Sequence, residues 1–264
     1  MPTTRARRSD WRQHWRDWGN VPLILATTTP GEPEIFASLQ GEGPSAGMAV
    51  AFLRLSRCNL ACVWCDTPYT WHFTGDDRPH RTGQTWDRKL NQVTLEVAEV
   101  AEIIAALGQH RLVVTGGEPL MQASELAELL ELLPDMRVEI ETNGTVLPHA
   151  ELDSRIDQYN VSPKLAHSGN PAALALRPAL LDHWAAEPRA TFKFVIAAPG
   201  DVAQVRELAA HHAIDPEKII LMPEGTDSVT LRERLEWLAP LCVESGYRLG
   251  DRLHIHLFGD TRGT

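Results

Sequence analysis

The 264-residue chain is short of cysteine, with four, and short of positive charge, with 25 Lys and Arg against 35 Asp and Glu. A net charge of -10 disfavours broad nucleic-acid binding, which needs a basic footprint. No hydrophobic run approaches a membrane span, and the N-terminus has no apolar signal core. Neither a nucleic-acid nor a membrane partner is expected. Four cysteines without a secretory signal predict a reducing cytoplasm and argue against disulfides. No Gly-x-Gly-x-x-Gly follows the first predicted strand and no Walker loop occurs, so the usual dinucleotide and P-loop sites are absent. There is no internal repeat and no low-complexity linker, and one domain is the simplest reading.

What is present is concentrated. Three of the four cysteines lie in one run, Cys58-Asn59-Leu60-Ala61-Cys62-Val63-Trp64-Cys65. The C-x3-C-x2-C spacing suits three irons of a cubane with the fourth left open to a substrate or cofactor. Two other readings share the spacing: a zinc site, which usually wants a fourth protein ligand, and plain buried thiols. Cys242 lies far off in an apolar helix-like stretch and reads as a small buried hydrophobe.

Along the chain, strands alternate with helices. Strands are predicted over 48–55, 111–114, 138–140, 159–161, 192–196, 219–222 and 253–258. Helices are predicted over 95–107, with Thr94 as cap, and around Leu126–Leu133, Val202–Leu208 and Leu231–Leu238. Residues 72–91 read as a polar surface insertion. This pattern predicts an α/β fold with a parallel sheet, in a partial, open barrel of about six strands. Several glycine-rich or polar motifs fall at the carboxyl ends of strands, where such folds build their sites. They are Thr115-Gly116-Gly117-Glu118-Pro119, Glu141-Thr142-Asn143-Gly144 and Ser162-Pro163-Lys164. His254 and His256 alternate on the last predicted strand and read as core or rim residues. Five arginines between Arg5 and Arg16, interleaved with Trp11, Trp15 and Trp18, mark residues 1–33 as an extension to a domain spanning 34–264.

The cysteine triplet after one strand, Gly116-Gly117-Glu118-Pro119 after the next, and the strand–helix alternation together resemble the radical S-adenosylmethionine (SAM) superfamily. A narrower match is similar to the 7-carboxy-7-deazaguanine synthase family, often called QueE. It rests on Glu34-Ile35-Phe36-Ala37-Ser38-Leu39-Gln40-Gly41-Glu42-Gly43, Phe52-Leu53-Arg54-Leu55, Cys65-Asp66-Thr67, Glu139–Thr145 and Val161–Lys164. The resemblance runs from Glu34 to the C-terminus. It implies a radical SAM (β/α)6-type barrel and a lyase of 7-deazapurine and queuosine biosynthesis.

The resemblance also implies the parts. Cys58, Cys62 and Cys65 would bind a [4Fe-4S] cluster whose open iron chelates SAM. Trp64, Asp66, Gly117, Ser162, Pro163 and Lys164 would contact SAM, and Thr67 would hold Mg2+. Leu39, Gln40, Gly41, Arg54 and Thr115 would bind 6-carboxy-5,6,7,8-tetrahydropterin, with Glu42 and Glu141 as further candidates. The implied chemistry is a radical ring contraction with loss of ammonia, carried by a 5′-deoxyadenosyl radical rather than by a catalytic side chain. The implied partners are an electron donor such as flavodoxin or ferredoxin and a second copy in a homodimer. A glycyl-radical activase shares the triplet and the Gly-Gly-Glu-Pro but not Leu39-Gln40-Gly41-Glu42-Gly43 in this place. A non-catalytic zinc or cluster module is the other alternative.

Overall fold

A computed structural model describes residues 22–264; the Arg/Trp-rich run lies outside the described residues. Among them eleven strands form one sheet. They are β1 (Pro22–Thr29), β2 (Glu32–Pro33), β3 (Ile35–Leu39), β4 (Ala49–Leu55), β5 (Gln92–Glu96), β6 (Arg111–Gly116), β7 (Arg137–Thr142), β8 (Gln158–Val161), β9 (Ala190–Ile196), β10 (Ile219–Pro223) and β11 (Arg248–Leu249). Strands β4, β6, β7, β8, β9 and β10 are neighbours in that order and all parallel, and β11 adds a short parallel edge. The principal helices are α1 (Val97–Ala106), α2 (Ala123–Glu131), α3 (Pro178–Ala186), α4 (Asp201–His211), α5 (Ser228–Ser245) and α6 (Leu253–Phe258).

The period-2 geometry of strands sorts each sequence between two faces. Leu53, Leu55, Leu112, Val114, Ile140, Phe192 and Phe194 point to one face and join a continuous core with Val100, Ile104, Leu126 and Leu129 of α1 and α2. Burial of those apolar chains supplies most of the driving force. The alternate positions Phe52, Arg54, Thr115, Glu141 and Lys193 line the opposite, concave face. That face is largely polar because it is the wall of a cavity, with one small apolar cluster of Val50, Phe52 and Val113 beside it.

Four expectations are corrected. Residues 22–33, expected in an extension, pair into the sheet: β1 runs antiparallel to β5 along five residue pairs and touches β4. Thr94 lies in β5, and the residue capping α1 is Glu96. The stretch 72–91 is not only surface, since His72, Phe73, His80 and Asn91 are buried. Residues 253–258 form α6, not a strand, so His254 and His256 are helical. Among the described residues no helix is long and apolar enough to cross a membrane.

Candidate active site

A cavity of about 220 Å3 opens at the carboxyl ends of β4, β6, β7 and β8. Every site residue expected from the sequence lines it except Pro163. Ser162 and Lys164 line the cavity and bond to each other (Lys164 Nζ to Ser162 Oγ, 2.8 Å) just beyond the end of β8. Pro163 is buried outside the cavity wall.

The cysteine loop follows β4 and is clipped at three points. At its start, Asn143 Nδ2 donates to Asn59 Oδ1 (2.9 Å) and lies 3.9 Å from Cys58 Sγ. In its middle, Val63 N–H donates to the Ser168 carbonyl (2.9 Å), and Asn170 reaches both Ala61 and Cys62. At its end, His80 Nε2 meets the Cys65 carbonyl oxygen at 2.9 Å. Burial pushes the Cys58 thiol up to about 12 and the Cys65 thiol to about 11, and raises that of Cys62. The three thiols therefore stay neutral until a metal replaces their protons. Among the described residues no three His, Cys, Asp or Glu side chains already converge as a ligand set. The sulfurs share a cavity without forming a chelate in advance. Cys242 is buried in the core and does not line this cavity.

Gly116 and Gly117 have a packing role in addition to the SAM contact expected of Gly117. A Cβ on Gly117 would stand 1.9 Å from the Arg57 carbonyl oxygen and 2.9 Å from the Cys58 nitrogen. One on Gly116, whose φ is +135°, would stand 2.1 Å from the Leu55 oxygen. The glycines let the turn after β6 lie against the root of the cysteine loop. The next residue, Glu118, is fully buried. Its carboxylate accepts from Leu120 N–H (3.1 Å), Thr142 Oγ1 (2.8 Å) and Asn143 N–H (2.7 Å). Burial raises this carboxyl to about 7 despite those bonds.

Another part of the cavity wall is ionic, and it meets the cysteine loop at Asp66. Glu42 pairs with Lys193 and, at 2.9 Å, with Arg252 Nε, and Arg252 also pairs with Asp66. Burial alone would raise the Glu42 carboxyl, but Lys193 and Arg252 overcome it and hold the group well below the usual carboxylate range. Glu141 accepts from Gln40 Nε2 (3.2 Å) and Thr115 Oγ1 (2.9 Å). Gln40 Oε1 accepts the Glu42 N–H at 3.2 Å, which fixes the orientation of that amide. Burial lowers the His254 imidazole on the same wall. Thr67 lines the cavity next to Cys65, and its hydroxyl does not cap the turn at residues 68–70.

The chain is similar to known proteins in sequence and in fold. A family model described as the Radical SAM superfamily matches residues 53–166. The 7-carboxy-7-deazaguanine synthase of Pyrobaculum aerophilum is 36% identical over 87% of this chain and 95% of its own length. The chain belongs to the 7-carboxy-7-deazaguanine synthase family. The Rhodopirellula baltica member is 33% identical over 92% of this chain and 96% of its own. Among solved structures, QueE from Escherichia coli aligns with 94% of this chain at a TM-score of 0.63 and 24% identity, which supports the fold.

Membership in the synthase family brings a [4Fe-4S] cluster and SAM, and is consistent with Mg2+. The residues present fit these groups. Three thiols, Cys62 buried and Cys58 and Cys65 half-buried, share one loop, as a cluster with one open iron requires. The Trp64 indole N–H is buried with no protein partner among the described residues, beside the Lys164 ammonium at 5.7 Å from its ring. Thr67 offers a single hydroxyl oxygen, enough for a cation that keeps most of its waters.

Sequence reasoning missed Lys193, Arg252 and Tyr69 as site residues. Lys193 did carry a signal, a lone charge in the apolar run Ala190–Ile196. Arg252 carried none, because its partners Glu42 and Asp66 are 210 and 186 positions away.

Proposed function

We infer that this chain is a 7-carboxy-7-deazaguanine synthase, converting 6-carboxy-5,6,7,8-tetrahydropterin to 7-carboxy-7-deazaguanine with loss of ammonia. The observation that carries the reading is one cavity lined both by the three thiols and by the polar side chains of Gln40, Glu141, Thr115 and Arg54. A bound [4Fe-4S] cluster with SAM supplies a 5′-deoxyadenosyl radical on reduction. Cys58, Cys62 and Cys65 would hold the cluster. Trp64, Asp66, Gly117, Ser162 and Lys164 would line the SAM site, and Thr67 would give Mg2+ one oxygen.

The protein's own work is placement and exclusion of water. Gln40 and Glu141 present a donor and acceptors to an amide edge. Arg54 presents a guanidinium to the substrate carboxylate. Leu39 and Gly41 complete the wall. The chain would act as one domain built on the sheet from β1 onward, in the cytoplasm, as a homodimer fed by a one-electron donor such as flavodoxin or ferredoxin.

The test is anaerobic reconstitution with iron and sulfide, followed by incubation with reductant, SAM, Mg2+ and the carboxy-tetrahydropterin. The expected product by mass spectrometry is 7-carboxy-7-deazaguanine. Cleavage of SAM with no deazapurine formed would overturn the assignment.

A further inference from the structure

We propose that the Asn170 carboxamide tunes the cluster, raising its reduction potential by donating an N–H bond to the sulfur of Cys62. The inference rests on the cluster assignment above and concerns a residue outside the cysteine loop.

The geometry fixes both ends of this amide. Asn170 Nδ2 lies 3.3 Å from Cys62 Sγ and 3.2 Å from Ser168 Oγ. Asn170 Oδ1 accepts the backbone N–H of Ala61 at 2.9 Å. A flipped amide would set its NH2 against the Ala61 N–H and its oxygen against the sulfur. Only one orientation satisfies all the donors, and it aims an N–H at Cys62.

The turn carrying Asn170 is shaped for this approach. Ser168 accepts the Val63 N–H through its carbonyl oxygen at 2.9 Å. Gly169 takes φ +78°, and a Cβ there would stand 2.7 Å from Val63 Cγ1. A larger residue would lift the turn off the loop. The N–H groups directed at Cys58 and Cys65 come from Leu60, Thr67 and Trp71 in or just beyond the loop, with the Asn143 amide at a longer 3.9 Å from Cys58 Sγ. Cys62 takes a closer side-chain donor, at 3.3 Å, from a residue 108 positions away.

One-electron reduction adds a negative charge that spreads over the cluster and its thiolate sulfurs. A fixed N–H dipole aimed at one of those sulfurs stabilises the reduced form more than the oxidised form. Loss of the donor should therefore make the cluster harder to reduce. The electron comes from an external donor, and Asn170 itself is not oxidised or reduced.

The experiment is an EPR-monitored redox titration of reconstituted protein, without SAM or substrate, comparing the native chain with Asn170→Leu and Asn170→Ala. Both variants are neutral, so neither adds a charge beside the cluster. At a fixed poise, the reduced-to-oxidised ratio is expected to fall roughly tenfold in each, the scale of one hydrogen bond to a charged group. For a one-electron couple that is about 59 mV. A purely structural strap would lose iron but leave the potential of the remaining cluster unchanged. Either variant carrying full iron and sulfide at the native potential would overturn the proposal. With 15N-labelled asparagine side chains, pulsed EPR of the reduced cluster should show a weak nitrogen coupling that persists in Asn143→Ala, which removes the other amide near the cysteines. Its absence overturns the proposal even if neither variant retains a cluster. A native chain that takes up no iron refutes the cluster assignment itself, and this inference with it.

Discussion

Arg54 and Glu34 are joined twice: Arg54 Nε donates to Glu34 Oε1 at 2.7 Å, and the Arg54 backbone N–H donates to the Glu34 carbonyl at 3.1 Å. Tyr69 adds its hydroxyl to the same carboxylate at 3.0 and 3.2 Å, and the Arg262 guanidinium caps the Tyr69 ring at 3.5 Å. Because Glu34 uses Nε, both Nη groups of Arg54 are left without a protein acceptor among the described residues. A guanidinium held by its edge and free at its fork is arranged to receive a carboxylate in two parallel bonds.

Arg54→Lys keeps the charge and loses the fork. KM for the carboxy-pterin should rise by about tenfold to a hundredfold, as expected for one lost charge-assisted bond. SAM cleavage in the absence of substrate should be unchanged. Steady-state kinetics with an uncoupled SAM assay separates the two, and an unchanged KM would remove Arg54 from the substrate site.

Gly117→Ala puts a methyl where the Arg57 carbonyl oxygen and the Cys58 nitrogen lie. Backbone on the receiving side cannot rotate away, so the cysteine loop must shift. Iron content after reconstitution should fall well below that of the native protein, while the far-UV circular dichroism stays native. Full iron retention would show that the loop tolerates the shift.

Arg252 is buried between Glu42, Asp66 and the Gly225 carbonyl. Arg252→Met would leave Glu42 paired with Lys193 and take the cation from Asp66, whose side chain is 38% exposed. Breaking a fully buried pair costs about 3–5 kcal/mol, and the remaining Lys193 and the solvent at Asp66 bring the expected loss to about 2 kcal/mol. Denaturant unfolding of the apo-protein is the measurement, and a loss under about 1 kcal/mol would mean that water reaches the cluster of charges.

Glu118 gives the pH prediction. Its carboxyl is raised from 4.5 to about 7 in the folded chain, chiefly by burial. The fold therefore binds that proton more tightly than the unfolded chain does. The resulting stabilisation is complete below about pH 4.5 and is lost as pH rises through about 7, at most about 3 kcal/mol in all. Glu118→Gln cannot titrate, so the stability difference between native and variant apo-protein should change across this window and flatten above it. A difference that is constant with pH would place the Glu118 proton outside the range.

Thr67→Ala removes the hydroxyl that the proposed function gives to Mg2+. Turnover should fall and lose its response to added Mg2+, while SAM cleavage without substrate survives. A native response of turnover to a magnesium titration in the variant would exclude Thr67 as a ligand.

The parallel strands were legible in the sequence because each is a short apolar run rich in β-branched residues, such as Arg111–Gly116 and Ile219–Pro223. The site motifs were legible because they sit directly after those runs. Residues 94–96 read as the cap and start of the helix over 95–107, since Leu95 passes without a break into the helical pattern of α1, and only pairing with β1 decides the matter. Residues 253–258 were read as a strand because Leu253, Ile255 and Leu257 alternate with His254 and His256. Their contact with Gly41, through the Leu253 N–H at 2.9 Å, belongs to a tertiary setting that no local period reports. The ion cluster of Glu42, Lys193 and Arg252 was hidden for the same reason.

The join between Arg252 and Glu42 closes a loop of 210 residues, whereas the strands of the parallel sheet meet partners much nearer in sequence. Loop-closure entropy has to be met before so distant a contact returns any energy. The sheet and its helices should therefore condense first, leaving an open trough, and the wall carrying Arg252 and His254 should dock onto it late. In refolding, native far-UV ellipticity would then appear before the protein can bind any small molecule. A chain damaged only near residue 252 would resemble the native protein to most spectroscopic probes while having no closed chamber.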